Sequence, residues 1–176
     1  MLFTERSIWT MIHGVGLGGA ALLGLAAALF YVYAARPAPL SAGTDSGSRA
    51  FAAVAVFTAV MLWLTVIIGT YIVFPPYRAT PPPGTTDLSG FPRSLVLANA
   101  NTAWLHGFAM EIKEHMPWIA SMLATAVAFI AVRYPTATTR NLWLRRMVLS
   151  LLGISFAIVA FISLLGIFVN KVAPLN

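Results

Sequence analysis

The sequence predicts an all-α integral membrane protein, an up-and-down four-helix bundle with an amphipathic helix in the long outer loop between spans 2 and 3. Three observations predict it. Hydrophobic residues fill 59% of the 176 positions and charged residues only 9%, against about 25% charged in a soluble globular domain. The apolar residues gather into four runs, and a bilayer-spanning helix needs roughly 20 consecutive, mostly apolar residues. Prolines and basic residues punctuate the ends of those runs, where a helix is expected to stop. Lipid leaves no alternative to helices here, because backbone N–H and C=O groups in hydrocarbon must bond within their own segment.

The first span runs from Ile8 to Ala35 and is stopped by Arg36-Pro37; the second runs from Phe51 to Phe74 and is stopped by Pro75-Pro76. The third covers about Pro117 to Val132 before Tyr134-Pro135, and the fourth about Met147 to Val169 before Lys171 and Pro174. The length suits one unit, residues 1–176 as a single membrane domain. The first apolar run exceeds the ~7–15 residues of a signal-peptide core, and Glu5 sits beside Arg6 ahead of it, so it is expected to be retained. Its Gly14-Val15-Gly16-Leu17-Gly18-Gly19 matches G-x-G-x-x-G in form. Without a preceding strand or a βαβ unit it is a helix-packing feature and no nucleotide site.

Orientation follows from the arginines. Two short loops hold Arg36, Arg49, Arg133, Arg140, Arg145 and Arg146, whereas Arg6, Arg78, Arg93, Lys113 and Lys171 spread over longer segments among Glu5, Asp87, Glu111 and Glu114. The positive-inside rule puts the short loops in the cytoplasm and both termini outside. A bacterial cytoplasmic (inner) membrane fits the Arg-over-Lys preference. The net charge of +6 therefore reports topology; no Lys/Arg run interleaves with aromatics as nucleic-acid binding requires. Trp9, Trp104, Trp118 and Tyr134 fall near span ends, as interfacial anchors do, while Trp63 is mid-span and reads as packing.

The outer loop, residues 75–116, opens with a proline-rich stretch that is extended and stiff. From Ser94 to Glu114 apolar and polar residues mix, which predicts an amphipathic helix on the outer surface or an upward extension of the third span. Pro117 makes Met116 a break or kink and sets His115 at the elbow.

Chemistry is confined to a few residues. With no cysteine, disulfides, thiolate sites, Fe–S clusters and covalent haem attachment are excluded. The spans hold no acids, which argues against a proton-coupled transporter, and nothing resembles a nucleophile–base pair or a phosphate loop. His13, His106 and His115 all fall toward the outer face. At about 1.5 Å per residue, His13 stands about 34 Å above Arg36, His115 about 27 Å above Arg133 and His106 about 40 Å up. Two imidazoles at one depth on facing helices are what a b-type haem needs, so His13 with His115 or His106 is the candidate ligand pair. His106 and His115 are about 180° apart on a regular helix and cannot both serve. Stepping from His13 gives Gly16, Ala20, Gly24 and Ala27, a stripe fit either for a macrocycle beside its ligand or for close helix contact of the small-xxx-small kind.

Glu111 shares a helical face with His115 and is either the acceptor that fixes its tautomer or, with His13 and His115, a ligand of copper, iron or zinc. Glu111, Lys113, Glu114 and His115 equally form a solvated charge cluster at the interface. Met11, Met110 and Met116 flank the histidines and read as fillers. In helix count and in the placement of His13 with His115 or His106, the chain resembles the small four-helix haem b anchor subunits of respiratory complexes, without matching a motif of that family. The resemblance implies an electron-transfer subunit with one haem b near the outer face, working with a quinone or periplasmic redox partner. Two alternatives stay open: a cofactor-free accessory or assembly subunit of a larger membrane complex or homo-oligomer, and a His/Glu metal site in a membrane oxidoreductase or metal-handling protein.

Overall fold

A computed structural model describes residues 4–35 and 46–175; among them every regular element is a helix. In chain order these are α1 (Glu5–Ala34), α2 (Ser46–Arg78), α3 (Pro92–Leu97), α4 (Leu105–Arg133), α5 (Ala137–Arg140) and α6 (Leu142–Val172). Helices α1, α2, α4 and α6 are each long and apolar enough to cross a bilayer. The chain is a multi-pass membrane protein.

α1 packs on α2 and α6, and α4 packs on the same two. Small side chains let the backbones approach: Ala21 and Ala28 on α1, Ala55 and Ala59 on α2, and Ala120, Ala124, Ala128 and Ala131 on α4 join one buried cluster with Leu25, Phe51, Val148 and Leu152. In lipid, helix association rests on such close van der Waals contact and not on the hydrophobic effect. The tightest crossing sets Gly24 against Thr58, whose Oγ1 would overlap any β-carbon at position 24. Thr58 Oγ1–H donates within its own helix to the Val54 carbonyl at 2.7 Å, so its hydroxyl is satisfied. Trp63 is a packing residue as expected: its Nε1–H donates to Thr125 Oγ1 at 2.9 Å and its ring meets Trp118 edge-on at 5.8 Å.

The ends follow helix chemistry. Thr4 caps α1, accepting the Ser7 N–H at 3.2 Å. At the other end the Tyr33 carbonyl receives an N–H from Arg145 at 2.6 Å, a cation placed where the helix dipole is negative. Helix α4 stops at Arg133 ahead of Tyr134-Pro135, and α6 stops at Val172 ahead of Pro174. The Arg36-Pro37 stop lies outside the described residues.

Three boundaries differ from expectation. α2 runs through Pro75-Pro76 to Arg78. A π-helical stretch, Gly69–Val73, precedes the prolines, which then occupy the first turn of a renewed α segment where their missing N–H has no bond to make. α4 begins at Leu105 and carries Pro117 within it, so there is no break at Met116; the donor that Pro117 lacks is owed only to the Lys113 carbonyl. Ser94 to Glu114 is not one amphipathic helix. α3 ends at Leu97, and turns follow in which Asn99 Oδ1 accepts the Asn101 N–H at 2.9 Å. Short polar side chains favour such local bonds over helix continuation. The remainder from Leu105 is the extension of the third span.

The α2–α4 loop is fastened to the bundle. Val96, fully buried, and Leu95 pack with Tyr77 of α2, Leu105, Ala109 and Met110 of α4, and Leu165 and Val169 of α6. At its exposed tip the Asp87 carboxylate accepts the Ser89 N–H at 2.9 Å, which holds its pKa below the ordinary value.

Candidate functional site

Three of the four long helices change their winding at the loop-side end. Ile12–Gly18 in α1, Gly69–Val73 in α2 and Leu105–Met110 in α4 are π-helical. Such segments insert an extra residue into an α-helix and are frequent at functional sites. Here each one displaces a face.

His13 sits in the first of these segments. Its Nδ1–H donates to the Thr65 carbonyl of α2 at 2.9 Å, and Nε2 makes no hydrogen bond among the described residues. The ring lies against Gly69, where a β-carbon would come within 2.5 Å of Cε1, 3.1 Å of Nδ1 and 3.3 Å of Nε2. Only glycine leaves room for the imidazole. Across the bundle Lys113 of α4 reaches Gly166 of α6, where a β-carbon would stand 3.0 Å from Nζ. Lys113 is half-buried and has no ion-pair or hydrogen-bond partner among the described residues.

These four residues form a layer. Counted along each helix from its arginine-side end, His13, Gly69, Lys113 and Gly166 all lie about 30–36 Å up at 1.5 Å per residue. That height is comparable to the hydrocarbon thickness of about 30 Å. Each helix contributes one member, two bearing polar groups and two being the glycines that admit them. The free Nε2 accepts a hydrogen bond and the ammonium donates one, so together they suit a hydroxyl, which can donate to the first and accept from the second.

The other expected site residues lie elsewhere. His106 has both nitrogens engaged: Nε2 accepts from Arg93 Nε–H at 3.2 Å, and Nδ1–H donates to Tyr77 Oη at 3.1 Å. His115 is 72% exposed and turns back on its own helix, donating Nδ1–H to the Glu111 carbonyl at 2.8 Å. The Glu111 carboxylate stands 4.0 Å from the same nitrogen, itself 65% exposed. Neither histidine joins His13 in the layer. Among the described residues no three His, Asp or Glu side chains converge, so His13, Glu111 and His115 do not assemble as a metal-ligand set. The stripe from His13 is also displaced. Gly16 and Ala27 are exposed and Ala20 is half-buried, whereas Gly18, Ala21, Gly24, Leu25 and Ala28 are buried. The π segment explains this: with one extra residue between His13 and Gly18, the inward face below it is offset from regular three-and-four stepping.

Lys113 is the residue that the sequence reading placed among solvated charges. Its face follows from spacing once α4 is seen to run unbroken through Pro117. Ala120, Ala124, Val127 and Ala131, the buried stripe of α4, follow Lys113 in steps of seven, four, three and four, whereas His115, two residues on, falls on the opposite side.

One further feature adjoins the layer. A groove of about 490 Å³ between α1 and α6 is lined by Leu22, Leu23, Ala26, Phe156, Ala160, Ser163, Leu164 and Ile167. Ser163, Leu164 and Ile167 lie on either side of Gly166 in the sequence of α6, and Gly166 itself is not part of the lining. Its walls are apolar. No protein-family model, no curated protein and no solved structure matches this chain.

Proposed function

We propose that this chain is the quinol-binding membrane subunit of an electron-transfer complex in a bacterial cytoplasmic membrane. In this reading it is an up-and-down four-helix bundle with both termini and the α2–α4 loop outside. A quinol combines two hydroxyls with a long apolar tail. The head group fits the layer, where one hydroxyl donates to His13 Nε2 and accepts from Lys113 Nζ–H. The tail fits the apolar groove that begins beside Gly166. The observation that carries the reading is the pairing, at the membrane boundary, of a hydrogen-bond acceptor and a donor that the protein itself leaves unpaired. Intramembrane ionisable groups are costly and therefore functional by default. When quinol becomes quinone it releases two protons and two electrons. His13 Nε2 receives the first proton, water at the loop-side end receives the second, and a one-electron acceptor held by a partner subunit takes the electrons in turn.

Haem b remains a second reading on one observation. A histidine whose Nδ1–H is held by a backbone carbonyl presents Nε2 as haem- and metal-ligating histidines do. The ligand opposite His13 would then come from Lys113, the group at its level.

The test is binding of a short-tailed quinol to the purified protein in nanodiscs, followed by tryptophan fluorescence, since Trp9 lies one turn from His13. Losing one hydrogen bond to a charged or buried partner weakens affinity by about tenfold. H13A and K113M are each expected to show that loss, and H115A to bind normally. Undiminished affinity in both H13A and K113M overturns the quinol site. A dithionite-reduced α-band that vanishes in H13A transfers the assignment to haem.

A further inference from the structure

The α2–α4 loop is tied to the bundle by a short chain of hydrogen bonds whose proton positions are dictated by its members. Arg93, in α3, has only donors, and its Nε–H points at His106 Nε2 across 3.2 Å. That nitrogen must carry a lone pair. The remaining ring proton is therefore on Nδ1, donated to Tyr77 Oη at 3.1 Å. Tyr77 is buried in the apolar cluster that Val96 and Leu95 enter from the loop, with its ring 5.9 Å from that of His106 and 6.0 Å from that of Phe74. The chain Arg93–His106–Tyr77 thus joins the loop helix to the ends of α2 and α4 through one titratable ring.

We infer that His106 is a proton-operated latch on this loop: neutral, it holds Arg93 and keeps the loop seated; protonated, it releases Arg93 and the loop lifts from the bundle end. An imidazolium has two donors and a positive charge, so Arg93 cannot keep its bond and is repelled at contact distance. The charged ring has other company. Burial, Arg93 and Arg78 disfavour the charged ring, Glu114 and Glu111 of α4 favour it, and no charged group of α6 is among those that act on it. Protonation thus sets a charged ring against the guanidinium whose bond it had accepted, which makes this a two-position device. Seated, Val96 and Leu95 of the loop share one cluster with Ile112 and Leu165, which adjoin Lys113 and Gly166 in sequence. The latch stands independently of any quinol, since the bonds that define it involve neither His13 nor Lys113.

The experiment is hydrogen–deuterium exchange on the full-length protein in nanodiscs between pH 8 and pH 5, corrected for intrinsic exchange. The latch is closed above the range in which imidazole titrates and opens below it, the sign required of a group whose neutral form makes the bond. Amides of residues 93–97 are expected to exchange about tenfold faster for each pH unit below the midpoint, as one-proton linkage dictates, while those of α6 stay constant. H106Q keeps an acceptor for Arg93 and a donor for Tyr77 without titrating, so its loop stays protected at pH 5. R93Q weakens the seat at every pH and removes most of the pH dependence. Equal protection of residues 93–97 in the wild type at pH 8 and pH 5 overturns the inference. So does a pH response of H106Q equal to that of the wild type, or, should H106Q not fold, a full pH response in R93Q.

Discussion

Adding a single methyl group at Gly69 tests the layer without touching a polar atom. The new β-carbon would stand 2.5 Å from His13 Cε1, where carbon–carbon contact needs about 3.5–4.0 Å. The ring must retreat by about 1 Å, which stretches the 2.9 Å bond to the Thr65 carbonyl past bonding distance. Overpacking of this kind costs typically 1–3 kcal/mol, and the lost hydrogen bond adds about 0.5–1.5 kcal/mol. Against them stands a gain of up to about 1 kcal/mol for replacing glycine in a helix. G69A is thus expected to be destabilised by about 1–3 kcal/mol, measured by reversible unfolding in mixed micelles. In an H13A background the obstruction is gone and the same methyl is expected to be neutral or stabilising by up to about 1 kcal/mol, giving a coupling of about 2–3 kcal/mol in a double-mutant cycle. G166A is the control. Its β-carbon meets only the end of the flexible Lys113 chain at 3.0 Å, so it is expected to change stability by less than about 1 kcal/mol. Wild-type stability in G69A, or an identical cost in the presence and absence of His13, refutes the packing argument.

Other positions give independent checks. G24A pushes a methyl into Thr58 and is expected to cost about 1–3 kcal/mol, whereas G14A, with nothing within 4 Å, is expected to be neutral or slightly stabilising; the same unfolding assay compares them. R145M removes the 2.6 Å bond to the Tyr33 carbonyl and is expected to lose about 0.5–1.5 kcal/mol, read in the same way. H115A, at an exposed side chain, is expected to stay within about 0.5 kcal/mol of wild type. Since the chain has no cysteine, S89C and N141C can be labelled one at a time in intact cells. A membrane-impermeant thiol reagent is expected to reach Ser89→Cys from outside and Asn141→Cys only after lysis, and the reverse pattern inverts the topology.

The four spans were legible because bilayer thickness is written directly into the length of an apolar run. Tyr134-Pro135 and Pro174 also marked real stops, since a proline just past a helix blocks its continuation. Pro75-Pro76 and Pro117 misled. A proline's effect depends on where the hydrogen-bond ladder stands when it arrives, and the π segments at Gly69–Val73 and Leu105–Met110 reset that ladder in ways composition does not display. The site was half legible. His13 stood out as a rare ionisable group at the right depth, and a second polar residue does share its level. Lys113 did not stand out beside His115 or His106 as a companion of His13: Lys113 and His115 differ by about 200° around α4, and the buried alanine stripe that shows which of them faces inward becomes informative only once the helix is known to run unbroken through Pro117. His106 could not be read at all, because the partners that occupy it come from 13 and 29 residues away.

The wide turn at Ile12–Gly18 makes α1 adjustable by deletion. Val15 there is 76% exposed and supports nothing. Excising it would let the backbone close into ordinary α-helix with His13 four residues before Gly18 instead of five, which keeps the two on one face. The imidazole would stay at its glycine notch, and the alanine seam beneath would stay in place. A membrane rod with such a turn can gain or shed one residue without re-aiming the side chains on either side of it.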